Sequence, residues 1–174
     1  MIVAITGHRP EKLGTAQFSG YAPENPLRAW VKARLREQLR LRKPFKPFYA
    51  ISGMALGVDQ DFCEICIELG VPFIAAVPFI GQERQWPLQS RERYRELLAQ
   101  AYDIEIVCPG GYERWKMLAR NEWLCEHSNV LLAVFDGSPG GTASTVLCAH
   151  RLGREVIRIN PNEFRGALMT GAAS

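Results

Sequence analysis

The chain has 174 residues, 47% of them hydrophobic and 22% charged, with a formal net charge of +3. Those proportions are ordinary for a soluble globular protein of one domain with a substantial core. No apolar run approaches the roughly 18–20 residues that span a bilayer, so no membrane partner is expected. The five cysteines, an odd number, fall inside predicted elements, which fits reduced thiols rather than a disulfide framework.

Met1-Ile2-Val3-Ala4-Ile5-Thr6-Gly7-His8 carries no positive leader and no cleavage-type site, and it reads as a strand over 2–6. The expected location is therefore the cytoplasm. This strand ends in Thr6-Gly7-His8-Arg9-Pro10. A helix follows over about 25–42, in which Arg28, Lys32, Arg36 and Arg40 recur beside an apolar row of Leu27, Val31, Leu35 and Leu39. That basic flank is either a solvated face or a surface for nucleic acid or an acidic partner. The next strand, 48–52, leads through Ser52-Gly53-Met54-Ala55-Leu56-Gly57-Val58-Asp59 into a helix over 58–69. Cys63 and Cys66 form a C-x-x-C within that helix, but no second pair at zinc spacing accompanies them, so buried thiols are expected and no metal. Gly70 and Pro72 stop the helix.

A strand over 73–77 ends in Pro78-Phe79, with Gln82, Glu83 and Trp86 beyond it. Tyr94, Leu97, Leu98 and Ala101 give helical spacing over 90–101, with Ser90 as its N-cap. After a strand over 104–108, a helix over 113–127 shows an apolar stripe of Met117, Leu118, Leu124 and Cys125. Asn121 lands inside that stripe and needs hydrogen-bond partners from the protein or a ligand, and Arg120 sits beside it. His127 and His150, near helix C-termini, read as surface residues compensating the dipole. The apolar run 130–135 is a strand that leads through Asp136-Gly137-Ser138-Pro139-Gly140-Gly141 into a helix over 142–152. A last strand covers 155–159, and 165–174 reads as a weakly ordered tail.

Short, continuously apolar strands alternating with helices predict an α/β fold: a Rossmann-like, doubly wound, mainly parallel sheet with helices on both faces, in one domain over 1–164. Such sheets bind ligands beyond the carboxyl ends of their strands. The turn after the 130–135 strand is the strongest signal, because free N–H groups and the positive helix end converge there and glycine admits a phosphate. Phosphate is expected against Gly140, Gly141 and Thr142, aided by Arg9 and by the turn at Ser52 and Gly53. Ala55 and Gly57 extend that turn, while Asp59 and Asp136 are candidates for ribose hydroxyls. His8 is either structural or catalytic. Phe79 or Trp86 covers a base or packs under a loop. Exposed apolar residues on an edge helix allow a homodimer.

Thr6-Gly7-His8-Arg9, the run 52–59, Pro78-Phe79 with Trp86, Ala119-Arg120-Asn121 and Asp136-Gly137 with Gly140-Gly141-Thr142-Ala143 together resemble the SLOG superfamily, in particular its YpsA-like branch. The resemblance runs from Met1 to about Pro161 and implies a Rossmann-like fold that binds a nucleotide or nucleotide-derived ligand, including ADP-ribose-type signals. Two related groups imply sharper activities. The Lonely Guy phosphoribohydrolases carry Pro-Gly-Gly-x-Gly-Thr and a glutamate in the next turn. Here Pro139-Gly140-Gly141 leads into Thr142-Ala143-Ser144-Thr145-Val146, without that Gly-Thr and without the glutamate. A carboxylate that stabilises a cationic sugar would then have to come from Asp59, Glu83 or Asp136. The DNA-processing protein A family has a turn similar to 52–59, which implies single-stranded DNA as an alternative partner.

Overall fold

Strand residues alternate between two layers of helices, and that alternation organises the molecule. The computed structural model describes residues 1–169. Its strands are β1 (Ile2–Gly7), β2 (Tyr49–Ser52), β3 (Phe73–Val77), β4 (Asp103–Ile106), β5 (Val130–Val134) and β6 (Glu155–Ile159). They form one sheet in the order β4-β3-β2-β1-β5-β6, with every pairing parallel. Along β1, Val3 and Ile5 enter one core layer and Ala4 the other. The first layer packs against α1 (Pro26–Arg42), α2 (Val58–Leu69) and α3 (Leu88–Leu98). The second packs against α4 (Arg114–Glu126) and α5 (Gly141–Arg151).

Local chemistry fixes the helix ends. Asn25 is fully buried, and its Oδ1 accepts from the N–H groups of Leu27 and Arg28 at 2.9 and 3.3 Å. Its Nδ2 donates to the carbonyls of Leu13 and Ser19, so one cap also ties down the loop before α1. Burial of Leu27, Val31, Leu35 and Leu39 on one stripe of α1 contributes on the order of 1.5–3 kcal/mol each. Gly70 closes α2 in the left-handed conformation.

Four expectations shift. α3 begins at Leu88, capped by Pro87 rather than Ser90; the Pro87 carbonyl already accepts from the Arg91 N–H at 3.0 Å. β4 is exposed along its whole length because it lies at the sheet edge, paired only with β3, and it is not continuously apolar. Leu118 is exposed, and the buried side of α4 carries Lys116, Arg120, Leu124 and Cys125. A sixth helix, α6 (Pro161–Met169), runs through the first part of the expected tail. Its Phe164 ring lies 6.0 Å from Trp30, and Arg165 donates to the Lys12 carbonyl at 2.8 Å. Residues 170–174 of that tail lie outside the described residues. Among the described residues no helix is long and apolar enough to cross a membrane.

The order of strands sets where the chain changes direction. β1 to β4 extend the sheet one way, and β5 returns to the other side of β1. The crevice between the ends of β1 and β5 is the switch point of a doubly wound sheet.

Candidate functional site

At that crevice β1 ends in register with β5, Gly7 opposite Val134. Gly7 has no room for a side chain, since a Cβ would lie 2.5 Å from Val58 of α2. Beyond β5 the chain turns through Gly140, whose φ of 150° and ψ of −168° are open to glycine almost alone. α5 then starts with no side-chain cap and no acid in its first turn. Its first helical bond runs from the Ser144 N–H to the Gly140 carbonyl at 3.1 Å. The N–H groups of Gly141, Thr142 and Ala143 therefore have no place in the helical ladder, and the positive end of the dipole is uncompensated by any side chain.

This helix end opens into a cavity of about 400 Å³. Arg9 and Lys12 come to it from the segment after β1, and Arg120 comes from α4. Lys12 lies in a short 3₁₀ turn, Pro10–Lys12, and its Nζ donates to Ser138 Oγ at 2.7 Å and to the Pro139 carbonyl at 3.3 Å. It thus bridges the segment after β1 to the turn after β5, and Arg165 steadies it from α6 through the Lys12 carbonyl. Three cations against two lining carboxylates, Glu11 and Asp59, leave an excess of positive charge around amides that no side chain caps, which favours an anion.

Asp59 and Arg120 form its buried wall. Both are nearly inaccessible, with Arg120 Nη1 3.9 Å from Asp59 Oδ2. Burial pushes the Asp59 carboxyl above the usual range, against the pull of Arg120, the Ala55 N–H and Arg9. Burial likewise lowers the Arg120 guanidinium, with Asp59 opposing. Arg120 donates through Nη1 to the Gly53 carbonyl and through Nε to Asn121 Oδ1 at 3.0 Å. Gly53 makes that approach possible, for a Cβ there would lie 2.0 Å from Nη1. Asn121 Nδ2 stands 4.0 Å from where a Cβ of Gly141 would be, at the mouth of α5.

His8 and Asp136 meet at the strand ends. His8 Nε2 lies 2.8 Å from Asp136 Oδ1 and 3.1 Å from the Asp136 backbone N–H. Burial lowers the His8 pKa despite the Asp136 hydrogen bond. A neutral ring accepts the N–H; a protonated ring donates to the carboxylate instead. Burial works against the Asp136 charge, but hydrogen bonds from Ser138 and His8 outweigh it and hold the carboxyl well below its ordinary range.

The structure brings eleven of the sequence-predicted residues onto this one cavity: Thr6, Gly7, His8 and Arg9 after β1, Ala55 and Asp59 before and within α2, Arg120 and Asn121 on α4, and Gly140, Gly141 and Thr142 at α5. Others stand apart. Ser52 is fully buried, its Oγ donating to the Asp59 carbonyl and accepting from the Met54 N–H, so that hydroxyl serves the turn itself. Gly53 is covered by Arg120, and Gly57 faces Pro10. Asp136 sits behind the cavity against His8. Phe79 and Trp86 line a separate cavity, and the Pro78 carbonyl accepts from the Cys108 N–H. Sequence reading missed Lys12, Glu11, Met117, Leu124, Ser138 and Pro139 as lining residues. Lys12 was within reach as the next cation after Arg9; Met117 and Leu124 gave no signal distinct from core.

Three of the four cations on the basic flank of α1 are paired, while Arg40 is exposed. Arg28 pairs with Asp61 at 2.6 Å, Lys32 with Glu64 at 2.8 Å and Arg36 with Glu68 at 2.9 Å, a ladder between α1 and α2. Arg93 of α3 joins Asp61 and Glu64 at 2.7 Å each. The acidic partner of these cations is thus the neighbouring helix. Cys63 and Cys66 are buried, and burial raises both thiols.

A family model described as the YspA SLOG family matches residues 3–151. The uncharacterized SPbeta prophage-derived protein YoqJ of Bacillus subtilis is 30% identical over 131 residues, covering 64% of this chain and 76% of that protein. Among solved structures, DNA processing protein A of Streptococcus pneumoniae superposes with a TM-score of 0.61 at 16% identity over 90% of this chain, which spans about half (49%) of that one. The same protein from Helicobacter pylori, solved for its single-stranded DNA binding mode, gives 0.63 at 19% identity, covering 100% of this chain and 74% of that one. The Moco Carrier Protein of Chlamydomonas gives 0.51 at 19%, covering 98% and 85%. At these identities the likeness to solved structures is one of fold.

Proposed function

This chain belongs to the YspA SLOG family, and on that premise we propose that it binds a nucleotide or nucleotide-derived small molecule of the AMP or ADP-ribose type, as a sensing or carrier module. The observation that carries this reading is the uncapped start of α5, open to a cavity shared with Arg9, Lys12 and Arg120. A phosphate there accepts from the free amides and is matched in charge by the three side chains. The neighbours are consistent with a scaffold used for holding: one is a Moco carrier protein and another binds single-stranded DNA.

Hydrolysis of nucleoside 5′-monophosphates is a second reading, favoured by Asp59, a carboxylate on the wall of the same cavity. Against it stands the first turn of α5, which holds no acid. For single-stranded DNA, three of the four α1 cations that sequence offers, Arg28, Lys32 and Arg36, are engaged by Asp61, Glu64 and Glu68.

Calorimetric titration with AMP, ADP-ribose and NAD tests the proposal. Binding of at least one is expected, and Gly141→Glu abolishes it. A carboxylate in the first turn of a helix favours folding, so an unchanged melting temperature in that variant assigns the loss to the site. Normal binding by Gly141→Glu, or no binding by the wild type, overturns the assignment. Release of free base from a nucleoside monophosphate moves the protein to the hydrolase reading.

A further inference from the structure

The anion cavity does not end at Met117. That side chain also lines a second cavity, of about 470 Å³, enclosed by the segment after β3 and the segment before α4. The two differ in chemistry. Phe79, Trp86 and Tyr112 supply aromatic surface to the second, and among the described residues Arg84 is its one charged lining residue and no carboxylate lines it. Tyr112 meets Phe79 edge-on at 5.7 Å and 77°, yet remains 69% exposed, and neighbouring Ile80 is 66% exposed. Exposed large apolar side chains around a concavity mark a place that another apolar surface covers.

One polar group is built into this aromatic wall. Gln82 is 7% exposed, and its Nε2 donates to Tyr94 Oη at 3.2 Å. That bond holds the amide of a residue that lines the cavity. Gln82 and the more exposed Gln85 can read the edge of a planar ring, while the aromatic side chains take its faces. A cationic ligand is disfavoured by Arg84.

Resting on the nucleotide reading above, we infer that the Phe79–Trp86–Tyr112 cavity is a subsite for the uncharged heteroaromatic ring of the ligand whose phosphate lies at α5, with Met117 as the partition between the two ends. The ligand is thus bipartite. A phosphorylated sugar without a ring fills only the first cavity, whereas a nucleotide or a nucleotide-linked sugar fills both.

Calorimetry with ribose 5-phosphate, AMP and ADP-ribose separates the two ends. The tighter of the two ring-bearing ligands binds at least about tenfold more strongly than ribose 5-phosphate, the scale expected for stacking one base. Tyr112→Ala, at an exposed position with little cost to folding, removes about tenfold from that ligand and leaves ribose 5-phosphate unchanged. Gly141→Glu removes both. Equal affinities with and without the ring, or an unaltered ring-bearing ligand in Tyr112→Ala, overturn the subsite while the phosphate site stands. Failure of all three ligands overturns the phosphate site and the subsite together.

Discussion

Two glycine-rich turns leave strands on either side of β1 and enter helices: Ser52–Asp59 before and into α2, and Asp136–Thr142 before and into α5. In sequence both look like phosphate cradles. In the folded chain the first is occupied by the protein. Arg120 reaches the Gly53 carbonyl, Ser52 Oγ accepts from the Met54 N–H, and Asp59 Oδ2 accepts from the Ala55 N–H at 3.2 Å. Neither helix start has a side-chain cap, but α2 carries Asp59 and Asp61 in its first turn whereas α5 carries no acid, and a Cβ on Gly141 would find nothing closer than Asn121 Nδ2 at 4.0 Å. Glycine spacing announces that something approaches the backbone closely; it does not say whether that is a side chain or a ligand.

Substituting the two glycines gives the largest expected contrast. Gly53→Ala forces the Arg120 guanidinium off its carbonyl and away from Asp59, which costs about 3 kcal/mol because a buried charge loses its partner. Gly141→Ala changes stability by less than ~1 kcal/mol, since Ala suits a helix better than Gly. Urea denaturation of both variants decides the matter. Equal mildness would break the contrast and leave the first turn as open as the second.

The two aspartates sharpen it through pH. Asp59 has its folded pKa raised, so its contribution is most favourable below the unfolded value near 4 and is lost as pH rises through the folded pKa. Wild type therefore loses stability relative to Asp59→Asn as pH rises above about 4. Asp136 has its folded pKa lowered, so its contribution is present above the unfolded value and is lost as pH falls through the folded pKa. The advantage of wild type over Asp136→Asn accordingly shrinks as pH drops below about 4. Thermal melts across pH check both slopes; slopes of the same sign would remove the electrostatic distinction between the turns.

The smallest effect belongs to the basic helix. Arg36→Ala breaks a partly exposed pair with Glu68 and costs less than ~1 kcal/mol. Oligonucleotide binding in a salt titration is expected to be unaffected by it, and a flatter salt slope in the variant would return α1 to the list of ligand surfaces.

The layout of the sheet was legible because β1, β2, β3 and β5 are buried, mainly apolar runs, and α1 and α2 carry periodic stripes, with a clear stop for α2 at Gly70. α6 was not legible; its sequence, Pro161–Met169, is mostly small or polar, and its docking depends on Trp30 and the Lys12 carbonyl, both remote in sequence. Arg120 was placed beside the apolar stripe of α4 with its burial left open. It is buried because Gly53 and Asp59, more than sixty residues earlier, give it an acceptor and a counter-charge.

Sequence by itself determined the periodicities, the helix-breaking residues and the glycines at strand ends, since these act within a few residues of backbone. It thereby determined the parallel α/β fold and named eleven residues that line the cavity. Tertiary structure decided what each polar group faces. It paired Arg28, Lys32 and Arg36 of α1 with α2, closed one glycine turn with an arginine, and left the other open to a cavity. Those outcomes depend on distances across the sheet, where charge and hydrogen-bond partners are chosen by packing rather than by neighbours along the chain.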